Sequence, residues 1–161
     1  MEKVLFENEY TMERKLYKEY VYNILCKKTI IIGLLVAVLG IALFICMNSE
    51  RAYMVLATSI ISIIVTIITP IITIKQLEET EKRLNNGKIE KTNIKFLNNI
   101  VMDEGKVHLE FEYHQIVKVV ETKNFIVLGI SEQSAILVFK NGFLKGNKND
   151  FINFIEKKII K

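Results

Sequence analysis

The residues of this 161-residue chain whose types and spacing could do chemistry are few, and they gather in its last third. His108, Glu110 and Glu112 are each two apart, so on a strand all three would project from one face. An imidazole beside paired carboxylates is the equipment of general acid–base hydrolysis, but that chemistry also needs a positioned nucleophile or an activated water. No G-x-S-x-G, H-E-x-x-H, P-loop or G-x-G-x-x-G pattern supplies one. His114 stands alone at a strand junction. These side chains read as a solvated strand face, and no catalytic residue is assigned. A second stretch, "NGFLKGNKN" from Asn141 to Asn149, places glycines and lysines ahead of a helix. A helix N-terminus flanked by lysines can meet a phosphate, so Lys140, Lys145 and Lys148 are the ligand-binding candidates. The same residues would also serve a plain strand-to-helix turn.

Only two cysteines occur, Cys26 and Cys46. Twenty residues of helix would hold them about 30 Å apart, whereas a disulfide needs Cα atoms within about 7 Å. They cannot pair with each other. With no C-x-x-C and no Cys/His cluster, neither a metal nor a cofactor is expected.

The elements that must position these residues begin with an uneven distribution of charge. The chain is 50% hydrophobic, and two blocks, 29–47 and 52–74, contain no Asp, Glu, Lys or Arg. The first, "TIIIGLLVAVLGIALFICM", would be about 28 Å long as a helix, and the second, "AYMVLATSIISIIVTIITPIITI", about 34 Å. A bilayer core of about 30 Å takes both, the second with some tilt. A cleaved signal peptide does not fit, because five acidic residues precede the first block and a second span follows at once. Residues 48–51 alone join the spans, which makes them antiparallel neighbours. Lys3, Arg14, Lys15, Lys18, Lys27 and Lys28 lie before the hairpin. Lys75, Lys82, Arg83, Lys88 and Lys91 follow it, against Arg51 alone in the loop. Both termini are therefore expected in the cytoplasm, in a multi-pass protein of the cell (inner) membrane. Gly33, Ala37 and Gly40 form a small-residue stripe on the first span; Thr58, Ser62, Thr66, Thr69 and Thr73 form a hydroxyl stripe on the second. Such stripes pack helices closely. Pro70 frees the Thr66 carbonyl and should kink the second span.

Before the hairpin, Val4–Tyr10 reads as a strand. Thr11 is the expected N-cap of an amphipathic helix that runs from Met12 into the first span. After it, the helix should continue to Gly87 as the C′ residue. Period-two runs then follow: "EKTNIKFL", "NNIVM", "KVHLEFEY", "QIVKVVET", "NFIVLGIS" and "SAILVFK". In "KVHLEFEY", Val107, Leu109, Phe111 and Tyr113 share the apolar face. Lys148–Ile160 closes the chain as an amphipathic helix with Asn149 as N-cap and Lys157, Lys158 and Lys161 at its C-terminal end. The expected fold class is α+β: a two-helix transmembrane hairpin plus a small antiparallel-sheet domain with a C-terminal helix, in a pleckstrin-homology-like arrangement. The expected organisation is 1–28 as strand and amphipathic helix joining the C-terminal sheet, 29–74 as hairpin, and 75–161 as the cytoplasmic domain.

The stretch "FEYHQIVKVVETKNFIVLGISEQSAILVFKNGF", Phe111 to Phe143, resembles the YcxB-like family of small bacterial membrane proteins. Ile116, Lys118, Val119, Glu121, Phe125, Ile130, Ala135, Lys140 and Phe143 fall in matching places, and the preceding pair of spans fits as well. The chain departs from the pattern at Tyr113–His114, where Trp or Ser is common, and at Gly129, where a larger residue is usual. The resemblance implies a membrane-bound protein of undefined activity and supplies no catalytic residues.

Residues 75–161 hold 15 Lys and Arg against 12 Asp and Glu, dispersed rather than striped. Nucleic acid is therefore not an expected partner. The expected partners are the lipid bilayer and a protein partner or a homo-oligomer. The reading is a membrane-anchored, non-enzymatic interaction or regulatory protein whose cytoplasmic domain binds a protein partner or inner-leaflet lipid. The alternative is a membrane enzyme or an accessory subunit of a transporter, which would need ionisable groups in the spans or a converging polar pocket.

Overall fold

In the segment after the second apolar block, Thr92, Ile94 and Phe96 alternate with Asn93 and Lys95, and the alternation becomes burial: Ile94 and Phe96 are wholly enclosed. The computed structural model describes residues 4–47, 51–131 and 134–159. The chain divides into two units, Met1–Leu16 with Glu79–Lys161, and Tyr17–Glu78.

The first unit contains two antiparallel sheets. Strands β1 (Phe6–Thr11), β2 (Lys91–Phe96), β3 (Ile100–Glu104), β4 (Val107–Phe111) and β8 (Phe143–Lys145) form one, in the order β4-β3-β2-β1-β8. Strands β5 (Lys118–Glu121), β6 (Phe125–Gly129) and β7 (Ala135–Phe139) form the other, with β6 in the middle. β6 is buried at every position, the signature of a strand covered on both faces. Helix α4 (Lys148–Ile159) lays Phe151 and Ile155 onto the core made by Ile94, Phe96, Ile100, Tyr113, Ile116, Ile126, Leu128, Ile136 and Val138. Each large apolar side chain so enclosed contributes about 1.5–3 kcal/mol. Rings of Phe6, Phe96 and Phe143 meet Phe151 at centroid distances of 5.4, 4.6 and 5.4 Å.

β1 lies between β2 and β8, with Phe6 opposite Phe96 and Thr11 opposite Lys91. Its neighbour β2 is therefore separated from it in sequence by both apolar helices. At a register shift between Glu7 and Asn8 on the β8 side, the Asn8 amide turns to the second sheet. Nδ2 donates to the Phe139 carbonyl at 2.8 Å and Oδ1 accepts from the Phe139 N–H at 3.0 Å.

The second unit contains α2 (Lys27–Cys46) and most of α3 (Ala52–Leu84), both long and apolar enough to cross a membrane. They run antiparallel: Ser62 Oγ donates to the Gly33 carbonyl at 2.9 Å, and Cys26 Sγ lies 3.8 Å from Thr73 Oγ1. A Cβ at Gly33 would overlap the Thr66 hydroxyl, and one at Gly40 the Ser59 hydroxyl. Close approach thus requires glycine at both places. Elsewhere the surfaces are apolar and exposed, for example Ile32, Val38, Ile45, Ile61 and Ile67.

Several local expectations are corrected. The pre-membrane helix is not continuous with the first span. α1 covers Arg14–Tyr20, a π-helical turn covers Val21–Leu25, and Cys26 breaks the ladder at φ −94°, ψ 0° before α2 begins. Thr11 ends β1 instead of capping the helix. On α3, Ser59 is buried and joins the facing stripe, whereas Thr58 is exposed and Thr69 half-buried; the hydroxyls of Thr58, Ser59, Thr66, Thr69 and Thr73 all bond back to carbonyls of their own helix. At the α3 C-terminus Asn86, at φ 55°, and Gly87, at φ 85°, are both left-handed, and the Gly87 N–H reaches back to the Lys82 carbonyl at 2.6 Å. That six-to-one bond makes Gly87 the C″ position. β4 stops at Phe111, and Leu109 is 40% exposed, because β4 is the last strand of its sheet and its apolar face lacks full cover. Tyr113 is buried from a 3₁₀ turn, Tyr113–Gln115, which also carries His114. The loop 141–149 contains β8, and the N-cap of α4 is Asn147, whose Oδ1 accepts the Asp150 N–H at 3.0 Å. β1 begins at Phe6, two residues after the expected Val4; the loop residues 48–50, and Ile160 and Lys161, lie outside the described residues.

Candidate functional site

The candidate site is assembled where the β5–β6 turn, the end of β7 and the start of α4 come together. Lys140 Nζ lies 2.9 Å from Glu121 Oε2 and also donates to the Thr122 carbonyl; Lys148 Nζ lies 3.2 Å from the same Glu121 oxygen. Each local cause is plain. Lys140 follows the last residue of β7, Glu121 is the last of β5, and Lys148 is the first of α4. The two ammonium groups, Lys140 first, hold the Glu121 carboxyl below its ordinary range. Together with Lys123, Asn124, Asn141 and Asn147 these lysines line an open pocket of about 660 Å³.

The structure separates the third lysine from this group. Lys145, on β8, donates to the Val4 carbonyl beside β1. Glu121 enters the sequence reading only through the family resemblance, and Lys123 and Asn124 only as turn residues, since they lie about 20 residues before the lysines and no spacing rule links the two segments. At the α4 N-terminus, Asn147 and Asp150 satisfy each other, Asn147 Nδ2 donating to Asp150 Oδ2 at 2.6 Å. The N–H groups of Lys148 and Asn149 belong to the first turn, which has no intrahelical acceptor. Two lysine ammoniums on one carboxylate, beside that turn, can exchange their carboxylate for a phosphate oxygen.

The histidines occupy a different place. His108 Nδ1 lies 2.5 Å from Asp103 Oδ1 across the β3–β4 pair, and Nε2 lies 3.4 Å from Glu110 Oε1. The hydrogen bond to Asp103, then that to Glu110, raises the imidazole above its ordinary pKa. Glu110 also accepts from Asn99 Nδ2 at 3.0 Å, whereas Glu112 pairs with His114 Nδ1 at 2.9 Å. The two carboxylates therefore serve different imidazoles and do not converge. Both histidines are exposed, with side-chain exposures of 60% and 74%. Among the described residues no set of His, Cys, Asp or Glu is arranged to hold a metal ion.

Two apolar helices followed by antiparallel sheets and a closing helix define the class, a small α+β domain carried with a helical hairpin. Residues 98–155, from the β2–β3 turn into α4, match the family described as YcxB-like protein, so this part of the chain is similar to a YcxB-like domain. The matched span contains the stretch Phe111–Phe143 that bears the resemblance, together with Glu121, Lys140 and Lys148. No curated protein and no solved structure matches the chain.

Proposed function

We propose that the protein is a membrane-anchored, non-enzymatic interaction module whose sheet domain engages anionic headgroups of the inner leaflet through Lys123, Lys140 and Lys148. In this reading the hairpin spans the inner membrane, both chain ends are cytoplasmic, and the domain has pleckstrin-homology-like architecture. The observation that carries the reading is the meeting of Lys140 and Lys148 on one exchangeable carboxylate in an open pocket. Connectivity supports it. β1 and β2 pair with each other, and each is joined to one end of the hairpin, by the segment from Thr11 to Lys27 and by the one from Leu84 to Lys91. In this reading the domain's lysines meet the leaflet, where each lysine close to an anionic surface gains about 1 kcal/mol.

Lysine acylation footprinting of the full chain in nanodiscs tests this. Anionic lipid should slow labelling of Lys123, Lys140 and Lys148 relative to neutral lipid, with Lys106 as the internal comparison. Glu121→Gln, which removes the competing counter-ion, should enlarge the difference. Equal labelling in both lipids sinks the headgroup reading. A second reading rests on β4, which ends its sheet with one backbone edge unpaired by any described strand. A partner adding a strand there would instead protect the amides of Val107–Phe111 from exchange.

A further inference from the structure

β4 pairs with β3 alone among the described strands, and the residues along its open edge are complementary to themselves. Two residues, Gly105 and Lys106, turn β3 into β4, with Glu104 opposite Val107. The residues that flank a two-residue hairpin turn exchange their backbone bonds. On β4 the N–H and C=O groups of Val107, Leu109 and Phe111 therefore point to β3, and those of His108 and Glu110 point outward. Beyond them the edge closes. The Glu112 N–H donates to Gln115 Oε1 at 2.9 Å, and the Glu112 carbonyl accepts from the Gln115 N–H at 3.1 Å. The open stretch is thus His108 and Glu110, centred on Leu109.

Side chains along this stretch sort by face. Met102 and Phe111 pack against the core, whereas Leu109, opposite Met102, is 40% exposed. His108 and Glu110 are exposed on the other face, with Lys106 and Glu112 exposed at the two ends. Turned about a two-fold axis at Leu109, the segment matches itself. Lys106 meets the second copy's Glu112, Val107 its Phe111, His108 its Glu110, and Leu109 its Leu109. Unlike charges face each other, since Asp103 and Glu110 favour the charged form of the His108 imidazole, and apolar residues face apolar ones. The neighbouring registers do worse. An axis at Glu110 opposes Glu110 to itself; an axis at His108 opposes His108 to itself and Glu112 to Glu104. Like charges directly opposite across strands destabilise the pairing.

We infer that the strand added at this edge is the β4 of a second copy of this chain, antiparallel across a two-fold axis at Leu109, so that two five-stranded sheets become one. This rests on the strand-addition reading of the edge and not on headgroup binding. The His108 N–H donates to the second copy's Glu110 carbonyl, the His108 carbonyl accepts from its Glu110 N–H, and the symmetry repeats both bonds. Leu109 is covered by its own counterpart. The contact is isologous, so assembly through this edge stops at two copies.

The test uses the full chain, with Cys26→Ser and Cys46→Ser as background. Leu109→Cys should form a disulfide-linked dimer when native membranes are oxidised with copper phenanthroline. Non-hydrogen-bonded partners hold their Cα atoms about 4.5 Å apart, within disulfide range. Val107→Cys, about 14 Å from its counterpart along the strand, should not link. Equal linking at both positions overturns the inference. Native mass spectrometry from detergent supplies a separate readout. Lys106→Glu, which opposes Glu112, should lower the dimer fraction severalfold, and adding Glu112→Lys should restore it. Absence of rescue overturns the register and the inference with it, while the Leu109→Cys readout leaves the Glu112 turn intact. Benzophenone maleimide on Leu109→Cys in native membranes separates the modes of failure. A self-adduct supports the inference; an adduct to another protein alone overturns it and leaves strand addition standing; no adduct overturns both.

Discussion

The amide of Asn8 hydrogen-bonds both backbone groups of Phe139, 131 residues away, in the manner of one more rung between strands. Asn8 is completely buried, so neither group can turn to water if the amide is removed. Each buried group left unpaired costs about 1–3 kcal/mol. Asn8→Ala should therefore destabilise the domain by about 2–4 kcal/mol. Asn8→Asp should be at least as damaging, because a carboxylate cannot donate to the Phe139 carbonyl and would be buried as a charge. Denaturant melts of the full chain in detergent check this, and an unchanged midpoint for Asn8→Ala would refute it.

The helical hairpin offers a second handle. Gly33 and Gly40 have no room for a Cβ against Thr66 and Ser59, and Cys26 Sγ is 3.8 Å from Thr73 Oγ1. In a Cys46→Ser background, Thr73→Cys should form an intramolecular disulfide with Cys26 when membranes are oxidised. Adding Gly33→Val should push the helices apart and reduce the yield severalfold. An unaffected yield would show that close approach at Gly33 does not position the pair.

His108 carries the pH prediction for the exposed face. Asp103 and Glu110 stabilise the imidazolium, so the folded pKa lies above the ordinary 6.5. That contribution is fully present below 6.5 and is lost as pH rises through the folded value. Titration of the His108 ring proton by NMR should give a midpoint above 6.5, and Asp103→Asn should bring it down. A midpoint indifferent to Asp103→Asn would mean that the 2.5 Å pair does not persist in solution.

What the amino-acid order alone determines here is whatever can be satisfied locally. Uncharged runs of 19 and 23 residues become helices because no neighbouring segment could hide that much apolar surface in water. Period-two burial was legible in β2, where Ile94 and Phe96 face the core. The same period misled in β4, because alternation states which side chains share a face and not whether anything covers it. Caps shifted by one or two positions, to Asn86 and Asn147, since several adjacent residues had side chains able to fill them. The three-residue β8 left no periodic signal at all.

Only the tertiary structure decided which distant groups meet. Lys140 and Lys148 come together on Glu121, while Lys145 goes to Val4. Asn85 Oδ1 fills the space beside Gly105, and Asn8 reaches Phe139. The physical reason is common to all three. A residue's own neighbours decide its periodicity, but the partner of a buried polar group is chosen by sheet register and chain closure over tens to more than a hundred residues.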